Sequence, residues 1–436
     1  MTVKLKDVRR EWNKYIVLAD ENIVDVVFCN FIGNCIIPGN PIWTMIVAPS
    51  SGGKSTILAP LAAIPEVHFI DDLTEKTFLS GFKVKGKEMS LLKSIGSGVI
   101  AFSDFTTIIA KNDTTKGEIL SQLRMIYDGT FIKHTGTGKI EWRGKMGFIG
   151  ASTPEIYFQL EGLKAMGERF TYYYLTPPTD DQIADKRAEV GMSAQDIHMA
   201  MQPWYRDYLR DFNEWLKKHG GPRKLVLTDV QKKRLKRAAK FCVNGKATVH
   251  LSFKSRKVDR IPNKAAVGRD YGIMSDSLWT YQMMDAYEND DYNLPLQDSR
   301  LELIEKIAYS SINRERRKIL EILCENDGEP LSASEIGTRH GLGLEKESVE
   351  EYLAPLHAVG TIQKVAGHTH KWYVGDEDIR LFVREVSKHV VDDIPMNKDK
   401  AEENTYVKKE KDEWAIPQLI DDNEFANVIA PPEDDF

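Results

Sequence analysis

The sequence predicts an α/β fold built on a parallel sheet, and three features of the chain lead to this prediction. Between residues 42 and 176, five short apolar runs suited to β-strands alternate with amphipathic, helix-like stretches. A glycine-rich segment, residues 48–56, joins the first run directly to a helical stretch. After Pro177 and Pro178 the pattern becomes helical through about residue 300. Strands that alternate with helices are typical of parallel sheets covered by helices.

Helical periodicity starts within the first forty residues. Apolar side chains recur at helical spacing from Ile23 to Ile32, and the pattern ends at Pro38 and Gly39. Strands are predicted at 42–47, 67–70, 99–102, 146–150 and 170–175, and helices at 54–61 and 116–127. The predicted divisions are a helical segment 1–40, an α/β core 41–177, a helical region 178–300, a domain 301–390 and a polar, disordered tail 391–436.

The bulk composition is that of a soluble protein with more than one domain. The chain has 436 residues, of which 42% are hydrophobic and 28% charged, and its formal net charge is −6. The four cysteines lack the spacing of metal ligands, so a reducing compartment is expected and a zinc site is not. Because no signal-like start and no run of 18 apolar residues is present, we expect a cytoplasmic protein without a membrane partner.

The segment APSSGGKST, residues 48–56, is similar to a phosphate-binding loop. Such a loop needs glycines that let backbone N–H groups turn inward, a lysine for the β- and γ-phosphates and a hydroxyl for Mg²⁺. The residues predicted to bind the nucleotide are Ser50, Ser51, Gly52, Gly53, Lys54, Ser55 and Thr56. Ala48 replaces the first glycine, and alanine disfavours a positive φ. The alternative is a loop that matches the motif by chance.

An acidic residue follows the predicted strand 99–102 and would complete a metal site. Asp104 is the predicted Mg²⁺ ligand together with Ser55, because the carboxyl end of the neighbouring strand faces the loop. A cap at the end of the strand is the alternative role. Phe105 stands where a catalytic glutamate is usual, so a base must come from elsewhere, with Glu75 and Glu118 as candidates.

Two further positions are candidate catalytic residues. Ser152 and Thr153 follow the predicted strand 146–150, where a polar side chain would contact the γ-phosphate or the attacking water. Arg169 precedes the aromatic strand 170–175, and an arginine at such a corner would neutralise transition-state charge at a neighbouring subunit's γ-phosphate. A salt-bridging arginine at the surface is the alternative.

Together, these residues resemble the core of AAA+ ATPases, and their order and spacing are similar to the minichromosome-maintenance branch. The strings GEILSQLRMIYDGTF, GKIEWRGKMGFIGASTPEIY and LKAMGERFTYYYL, within roughly residues 40–300, are also similar to ATPases encoded by phages and mobile elements. The resemblance implies ATP and Mg²⁺ as cofactors and Arg169 as a finger acting on the next subunit. It also implies a helical lid in which Arg269 is a second sensor of the nucleotide.

Residues 128–145, DGTFIKHTGTGKIEWRGK, predict a β-hairpin. In the branch that the core resembles, a hairpin at this place projects into the central channel of a ring. The residues expected to contact single-stranded DNA are Lys133, His134, Lys139, Trp142 and Arg143. Lys145 adds a further positive charge. A hairpin that is merely solvated is the alternative.

A second basic stretch, QKKRLKRAAK at residues 231–240, predicts a helix that either contacts a phosphate backbone or is a solvated face. Other cations in this part of the chain are Arg223, Lys224, Lys254, Arg256, Lys257 and Arg260.

Residues 311–375 predict a winged helix-turn-helix, with helices at 317–324, 332–340 and 345–358 and a hairpin from 360 to 374. The first turn of the second helix has a capping box, Ser332 with Glu335. Four glutamates on the third helix argue against a DNA-reading role, so a protein-contact role is expected for it. Lys364, His368, His370 and Lys371 in the wing are the expected DNA edge. One more helix is predicted at 376–389.

These expectations combine into a ring-forming, ATP-hydrolysing DNA motor, a hexamer that acts as the replicative helicase of a phage or mobile element in the host cytoplasm. The acidic tail, which ends in Phe436, would dock on a replication partner, solubilise the chain or shield its own DNA channel. An AAA+ helicase loader or initiator that switches with ATP and does not unwind DNA is the first alternative. A DNA-binding regulator and a packaging motor are the others.

Overall fold

The computed structural model describes residues 2–50, 52–74, 76–79, 83–84, 87–88, 90–135, 138–157, 169–249, 264–326, 328–365 and 371–388. Ser51, Glu75, the cations within 251–263, His368, His370 and the predicted tail 391–436 lie outside these ranges. The chain divides into a compact unit, Met1–Val391, and a second unit, Asp392–Phe436, which contains no described residue. No helix in the described ranges is long and apolar enough to cross a membrane.

The secondary structure follows the predicted alternation in the first part of the chain and is mainly helical after it. The elements of the first part are α1 (Leu5–Tyr15), α2 (Asn22–Cys35), β1 (Trp43–Val47), α3 (Lys54–Leu58), β2 (Val67–Ile70), β3 (Lys83–Val84), β4 (Lys87–Glu88), α4 (Leu91–Ile95), β5 (Gly98–Phe102), α5 (Thr106–Ile109), α6 (Asp113–Tyr127), β6 (Thr130–Thr135), β7 (Gly138–Arg143), β8 (Met146–Ser152) and β9 (Thr171–Tyr174). Those of the second part are α7 (Asp180–Val190), α8 (Ala194–Lys218), α9 (Asp229–Lys246), α10 (Val267–Glu288), α11 (Asp298–Ser310), α12 (Arg314–Glu325), β10 (Leu331–Ser332), α13 (Ala333–Thr338), α14 (Lys346–Ala358), β11 (Ile362–Lys364), β12 (Lys371–Val374) and α15 (Glu377–Val386).

Five parallel strands form the central sheet, in the order β2-β5-β8-β1-β9. β1, β5, β8 and β9 are buried along their whole length, as expected for a parallel sheet with helices on both faces. One face carries an aromatic cluster of Trp43, Phe148 and Phe170, whose ring centroids lie 5.1–5.3 Å apart. All five predicted strands are present, and the α/β prediction is confirmed.

The helix α2 is fixed to the sheet by two buried asparagines. The side-chain amide of Asn30 donates to the carbonyls of Ile42 and Phe148, at 3.0 and 2.9 Å. The side-chain oxygen of Asn34 accepts from the N–H of Ile42 at 2.9 Å. A Cβ at Gly147 would lie 2.3 Å from the amide nitrogen of Asn34, so only glycine leaves room for this contact. These bonds set the position of β1, from which the glycine-rich loop emerges.

Two details of the core differ from the sequence prediction. The helix predicted at 54–61 is shorter, because α3 ends at Leu58 and the chain continues as a 3₁₀ turn, Ala59–Ala63. Pro60 has no N–H for an α-helical bond and clashes with the preceding turn, which explains the change. The antiparallel pair β3–β4 lies between β2 and β5 in the chain and was not predicted, since strands of two residues carry no periodicity.

The carboxy-terminal elements match the predicted helices and hairpin. α12, α13 and α14 are followed by β11 and β12, which pair antiparallel, and β10 completes a three-stranded sheet. The capping box at Ser332 is present, because its Oγ accepts from the N–H of Glu335 and the Glu335 carboxylate accepts from the N–H of Ser332. This part joins the sheet at Ser311, whose Oγ accepts from the N–H of Tyr172 at 3.0 Å.

Candidate nucleotide-binding site

The glycine-rich loop leaves the carboxyl end of β1 and enters α3, and its backbone requires the glycines it has. Gly53 has a φ of +79° and precedes the first residue of α3, a conformation that other residues rarely adopt. A Cβ at Gly52 would lie 3.0 Å from both the Cβ of Ala48 and the carbonyl of Pro49. Ser50 is exposed in the turn. The loop therefore has the tight geometry that a phosphate-binding loop needs.

Ala48 is not strained. Among the described residues, Asp290 is the only non-glycine residue with a positive φ. The backbone strain expected from replacing the first glycine with Ala48 is therefore absent. The side chain of Ala48 is fully buried, and its N–H donates to the carbonyl of Ser152. Alanine fits here because this residue has no positive φ and its N–H continues the hydrogen bonding of β1 to β8.

The ammonium of Lys54 lies inside the loop. Its Nζ donates to the carbonyls of Ala48 and Pro49, both at 2.7 Å. Burial lowers the pKa of Lys54, and the negative charge of Asp104 opposes this effect. The lysine is thus held at the start of a helix, where a bound anion would also meet the helix dipole.

Hydroxyl and carboxylate groups lie beside the loop at the ends of β2 and β5. Ser55 Oγ donates to the carbonyl of Ser103 at 3.3 Å, and Ser103 Oγ donates to Asp71 at 2.8 Å. Asp104 Oδ1 accepts from the N–H of Thr106 at 2.9 Å, so Asp104 caps the turn into α5, as its alternative role predicted. Its second oxygen makes no hydrogen bond to the described residues, and the cap therefore leaves it available. Asp71 was not singled out in the sequence.

These groups suit Mg²⁺ only together with a nucleotide. No set of three or more His, Cys, Asp or Glu side chains in the described ranges could hold a metal ion. Mg²⁺ commonly uses one or two protein ligands and completes its shell with phosphate oxygens and water. Ser55 and Asp104 are the residues that would bind it.

Ser152 lies at the centre of the carboxyl edge of the sheet. It pairs with Val47 in the parallel register of β8 and β1, and its side chain is fully buried. Its hydroxyl has no hydrogen-bond partner in the described part of the chain. Thr153, the next residue, is half-buried. A buried hydroxyl without a partner beside the glycine-rich loop has the chemistry to bind a phosphate oxygen or a water.

No catalytic base is identified by these contacts. Phe105 is fully buried and its N–H donates to the carbonyl of Ala151, so the position after Asp104 faces the core. Of the two predicted bases, Glu118 is exposed on α6, and Glu75 lies outside the described residues.

A cleft adjoins the loop on the side of the amino-terminal helices. It is lined by the loop glycines with Thr56, by residues 15–20 between α1 and α2, by Leu175, Thr176 and Pro178 after β9, and by Ile183, Lys186 and Arg187 of α7. The backbone N–H and C=O groups of Val17, Leu18 and Ala19 make no hydrogen bond to any described residue. An apolar cleft with free backbone donors and acceptors suits a planar heterocycle. The sequence motif gave no sign of this cleft.

Arg169 and Arg269 lie at the opposite end of the sheet from Lys54. Arg169 precedes β9, is 4% exposed and donates to both carboxylate oxygens of Asp128, at 2.9 and 3.0 Å. Burial lowers the pKa of Arg169, Asp128 opposes this, and the nearby positive charge of Arg269 adds to the lowering. The ion pair with Asp128 matches the alternative role of Arg169, although the Arg169 side chain is buried and the Asp128 carboxylate is the exposed partner. Neither arginine lies over the loop of its own chain, so Arg269 as a sensor within its own subunit is not supported.

The predicted hairpin is formed by β6 and β7, and its inner face packs on the core. Phe131 pairs with Trp142, and both side chains are buried. Trp142 Nε1 donates to the carbonyl of Gly96 at 2.6 Å, so the expectation that Trp142 stacks on DNA bases is wrong for this conformation. Lys133 lies on the same face, where its Nζ donates to the carbonyl of Leu79 at 3.1 Å.

The outer face of the hairpin is exposed and carries paired charges. His134 and Lys139 are directly opposite each other, and Ile132 is 41% exposed. Glu141 accepts from Lys139 at 2.7 Å and from Arg143 at 2.6 Å, and these two bonds lower the pKa of Glu141 to about 2. Lys145 does not belong to this face, because its Nζ donates to the carbonyls of Gly33 and Ile37 at the end of α2.

Most cations of the basic helix α9 have carboxylate partners within the chain. Arg234 is paired with Glu305, and Lys240 with Asp376 and Asp378. Arg237 lies 3.5 Å from Asp378. These ion pairs fasten α9 to α11 and α15, which accounts for the basic sequence without nucleic acid.

Comparison with known proteins gives no family: no protein-family model matches the chain, and no curated protein matches it. The fold and site define the molecule as an α/β protein with a five-stranded parallel sheet and a strand–loop–helix unit at the carboxyl edge of that sheet.

Proposed function

We propose that this chain is an ATP-hydrolysing, ring-forming DNA motor, a replicative helicase of the AAA+ class that translocates on single-stranded DNA. One observation carries the proposal. The loop with Lys54 and Ser55, the carboxylate of Asp104 and the partnerless hydroxyl of Ser152 meet at the carboxyl ends of three adjacent parallel strands. A phosphate-binding loop, a metal ligand and a polar group for the γ-phosphate are three of the parts that nucleotide hydrolysis requires.

The cleft supports ATP as the nucleotide. The cleft is lined by the loop glycines and Thr56, so a base bound there would lie beside phosphates bound at the loop. The free backbone groups of Val17, Leu18 and Ala19 would bind the amino group and the ring nitrogens of adenine, while Lys54 binds the phosphates. Mg²⁺, when bound, would neutralise charge between the β- and γ-phosphates.

The two arginines support assembly into a ring. Arg169 and Arg269 lie at the amino end of the sheet, so the nucleotide they would serve belongs to the next copy of the chain, and a hexamer is the expected ring. To act there, Arg169 must exchange Asp128 for a phosphate. In this proposal α7–α10 form the helical lid and residues 301–390 a winged helix, in the host cytoplasm of a phage or mobile element. α14 makes a protein contact, and the tail docks on a replication partner.

The outer face of the hairpin is the proposed DNA contact. His134, Lys139 and Arg143 are exposed on it, and Ile132 offers an apolar surface for a base. Trp142 and Lys133 are not part of this surface, since both point to the core. Lys364 and Lys371 of the wing are a second, weaker DNA edge.

A second candidate function, an ATP switch that loads another helicase, is favoured by one observation. Phe105 is buried where a catalytic glutamate would stand, and Asp104 is the carboxylate whose charge acts on Lys54. Slow hydrolysis would follow from this arrangement. Turnover and its response to DNA separate the two functions.

The test is the ATPase rate with and without single-stranded DNA. Wild-type protein is compared with Lys54→Ala, with Lys139→Ala/Arg143→Ala, and with Arg210→Ala/Lys232→Ala. The last variant is the matched control, because it also removes two exposed, ion-paired cations. A motor shows DNA-stimulated turnover that the first two variants lose and the control keeps. Slow turnover that ignores DNA, with ATP still bound, would reject the motor and leave the switch.

A further inference from the structure

Asp20 links the wall of the cleft to the sheet and to α11. It follows directly after the segment with free backbone groups, lines the cleft and is 8% exposed. Its Oδ2 accepts from the hydroxyl of Tyr173 at 2.5 Å and from Nζ of Lys306 at 2.7 Å. Its Oδ1 accepts from the N–H of Asn22, the first residue of α2, at 3.2 Å. Both carboxylate oxygens of Asp20 therefore have partners within the chain.

The partners of Asp20 belong to rigid parts of the fold. Tyr173 is fully buried on β9 and pairs with Ile46 of β1, one residue before the strand ends at Val47. Lys306 lies on α11, and its Nζ also lies 3.3 Å from the Tyr173 hydroxyl and over the Tyr173 ring. The loop proposed to bind the phosphates and the segment that lines the cleft are thus both anchored to β1 and β9.

We infer that Asp20 is a positioning residue for nucleobase recognition: through Tyr173 and Lys306 it holds residues 16–19 at the distance from the phosphate loop that a purine nucleotide spans. Because both oxygens of Asp20 bond to partners within the chain, it acts through the backbone of this segment and not by touching the base. The inference deepens the proposed function and rests on it, since it presumes that the cleft takes the base of a nucleotide bound at Lys54.

The geometry separates two parts of the binding free energy. Contacts of the triphosphate depend on Lys54 and the glycines, which Asp20 does not touch. Contacts of the base depend on the placement of Val17, Leu18 and Ala19, which have no other hydrogen bond to the described chain. Loosening Asp20 should therefore weaken the binding of ATP and leave the affinity for inorganic tripolyphosphate unchanged.

The chain offers a closely matched control. Lys306 and Asp20 have side-chain exposures of 24% and 7%, and Arg234 and Glu305 have the same two values. Both pairs involve α11, but Arg234 and Glu305 do not line the cleft. Lys306→Met and Arg234→Met thus remove equivalent cations, one from the proposed device and one from a purely structural pair.

The experiment measures dissociation constants for ATP, GTP and tripolyphosphate on the full chain, with thermal unfolding to confirm that each variant is folded. Lys306→Met and Tyr173→Phe should lower the preference for ATP over tripolyphosphate by about tenfold and reduce discrimination between ATP and GTP. Lys306→Arg should restore both, and Arg234→Met should change neither.

Two negative results have different meanings. The role of Asp20 would be overturned if folded Lys306→Met bound ATP and tripolyphosphate more weakly by the same factor. It would also be overturned if neither affinity changed. Wild-type protein that binds ATP no better than Lys54→Ala would instead refute the nucleotide site itself.

Discussion

Val47 and Ser152 lie side by side at the carboxyl ends of two neighbouring parallel strands, and the hydroxyl of Ser152 has no hydrogen-bond partner in the described chain. A buried polar group without a partner costs free energy in the folded state. The loop begins one residue after Val47, so the hydroxyl is placed where a phosphate oxygen or a water would arrive. This pairing leads to the first prediction.

Ser152→Ala should leave the melting temperature unchanged or slightly raised, because no existing hydrogen bond is lost. ATP turnover should fall roughly a hundredfold with little change in ATP affinity, if the hydroxyl acts on the reacting phosphate. The control is Ser311→Ala, which removes a buried hydroxyl bonded to Ile307 and Tyr172 and should cost about 1–2 kcal/mol of stability. Calorimetry and steady-state kinetics measure the two effects. Unchanged turnover in folded Ser152→Ala would exclude a catalytic role.

Glu141→Gln should strengthen single-stranded DNA binding. The substitution removes the carboxylate that now pairs with Lys139 and Arg143 on the outer face of the hairpin. The dissociation constant should fall roughly three- to tenfold, and its dependence on salt should steepen by about one phosphate contact. Fluorescence anisotropy against salt concentration measures both quantities.

The pH dependence of the same contact is also defined. A lowered carboxyl pKa means that the ion pairs are present above the unfolded value of about 4.3 and are lost as pH falls through about 2. Titration of Glu141 therefore contributes no change in DNA affinity between pH 5 and 8.

The Glu141→Gln variant can also contradict the proposed contact. Weaker DNA binding by this variant would show that the DNA does not bind at the outer face of the hairpin.

Arg169→Ala should abolish ATP turnover, and a mixture with Lys54→Ala should recover part of it. In a mixed ring, some interfaces combine Lys54 of one chain with Arg169 of the other, and only these are complete. The exposed partner, Asp128, provides a contrast, because Asp128→Asn loosens Arg169 without removing it and should retain turnover. Titration of one variant into the other, followed by ATPase rate, is the measurement. Activity of Arg169→Ala alone would show that the arginine is only structural.

Lys240→Met should release α15 from α9 and lower stability by about 1 kcal/mol. Burial raises the pKa of Asp378, but Lys240 and Arg237 lower it by more, so the pKa of Asp378 lies below its usual value. Asp376 and Asp378 raise the pKa of Lys240 more than burial lowers it.

The sign of the pH effect follows from these two shifts. The carboxylate contribution is lost as pH falls below about 4, and the lysine contribution is lost as pH rises above about 10. The stability difference between wild type and Lys240→Met should therefore be constant between these limits and shrink outside them. Thermal unfolding across this range measures it, and a difference that varies near pH 7 would contradict the assignment.

The sheet and the loop were predictable because their signals are local. Buried parallel strands are continuous apolar runs, such as 98–102, and the loop glycines and Lys54 stand in a fixed spacing. The capping box at Ser332 is local too. The carboxyl-edge placement of Asp104 and Ser152 followed from strand order alone.

The partners of the charged residues were not predictable, because they lie far apart in the chain. Lys240 and Asp376 are separated by 136 residues, and Arg169 and Asp128 by 41. A basic helix looks the same in the sequence whether its partner is a phosphate or a distant carboxylate. Trp142 was misassigned for a similar reason, since the inner face of a hairpin is defined only by what it packs on. The cleft between α1 and α2 has no motif at all.

The contacts of Lys54 bear on how the proposed nucleotide would bind. Since its ammonium already holds the carbonyls of Ala48 and Pro49, arrival of a phosphate is an exchange of partners and not the neutralisation of a bare charge. A single small anion offers the lysine little more than it already has. A polyphosphate would offer more, because it would also accept hydrogen bonds from the backbone N–H groups of the loop. In the proposed function, the loop would therefore favour polyphosphates over the abundant monovalent and monophosphate anions of a cell.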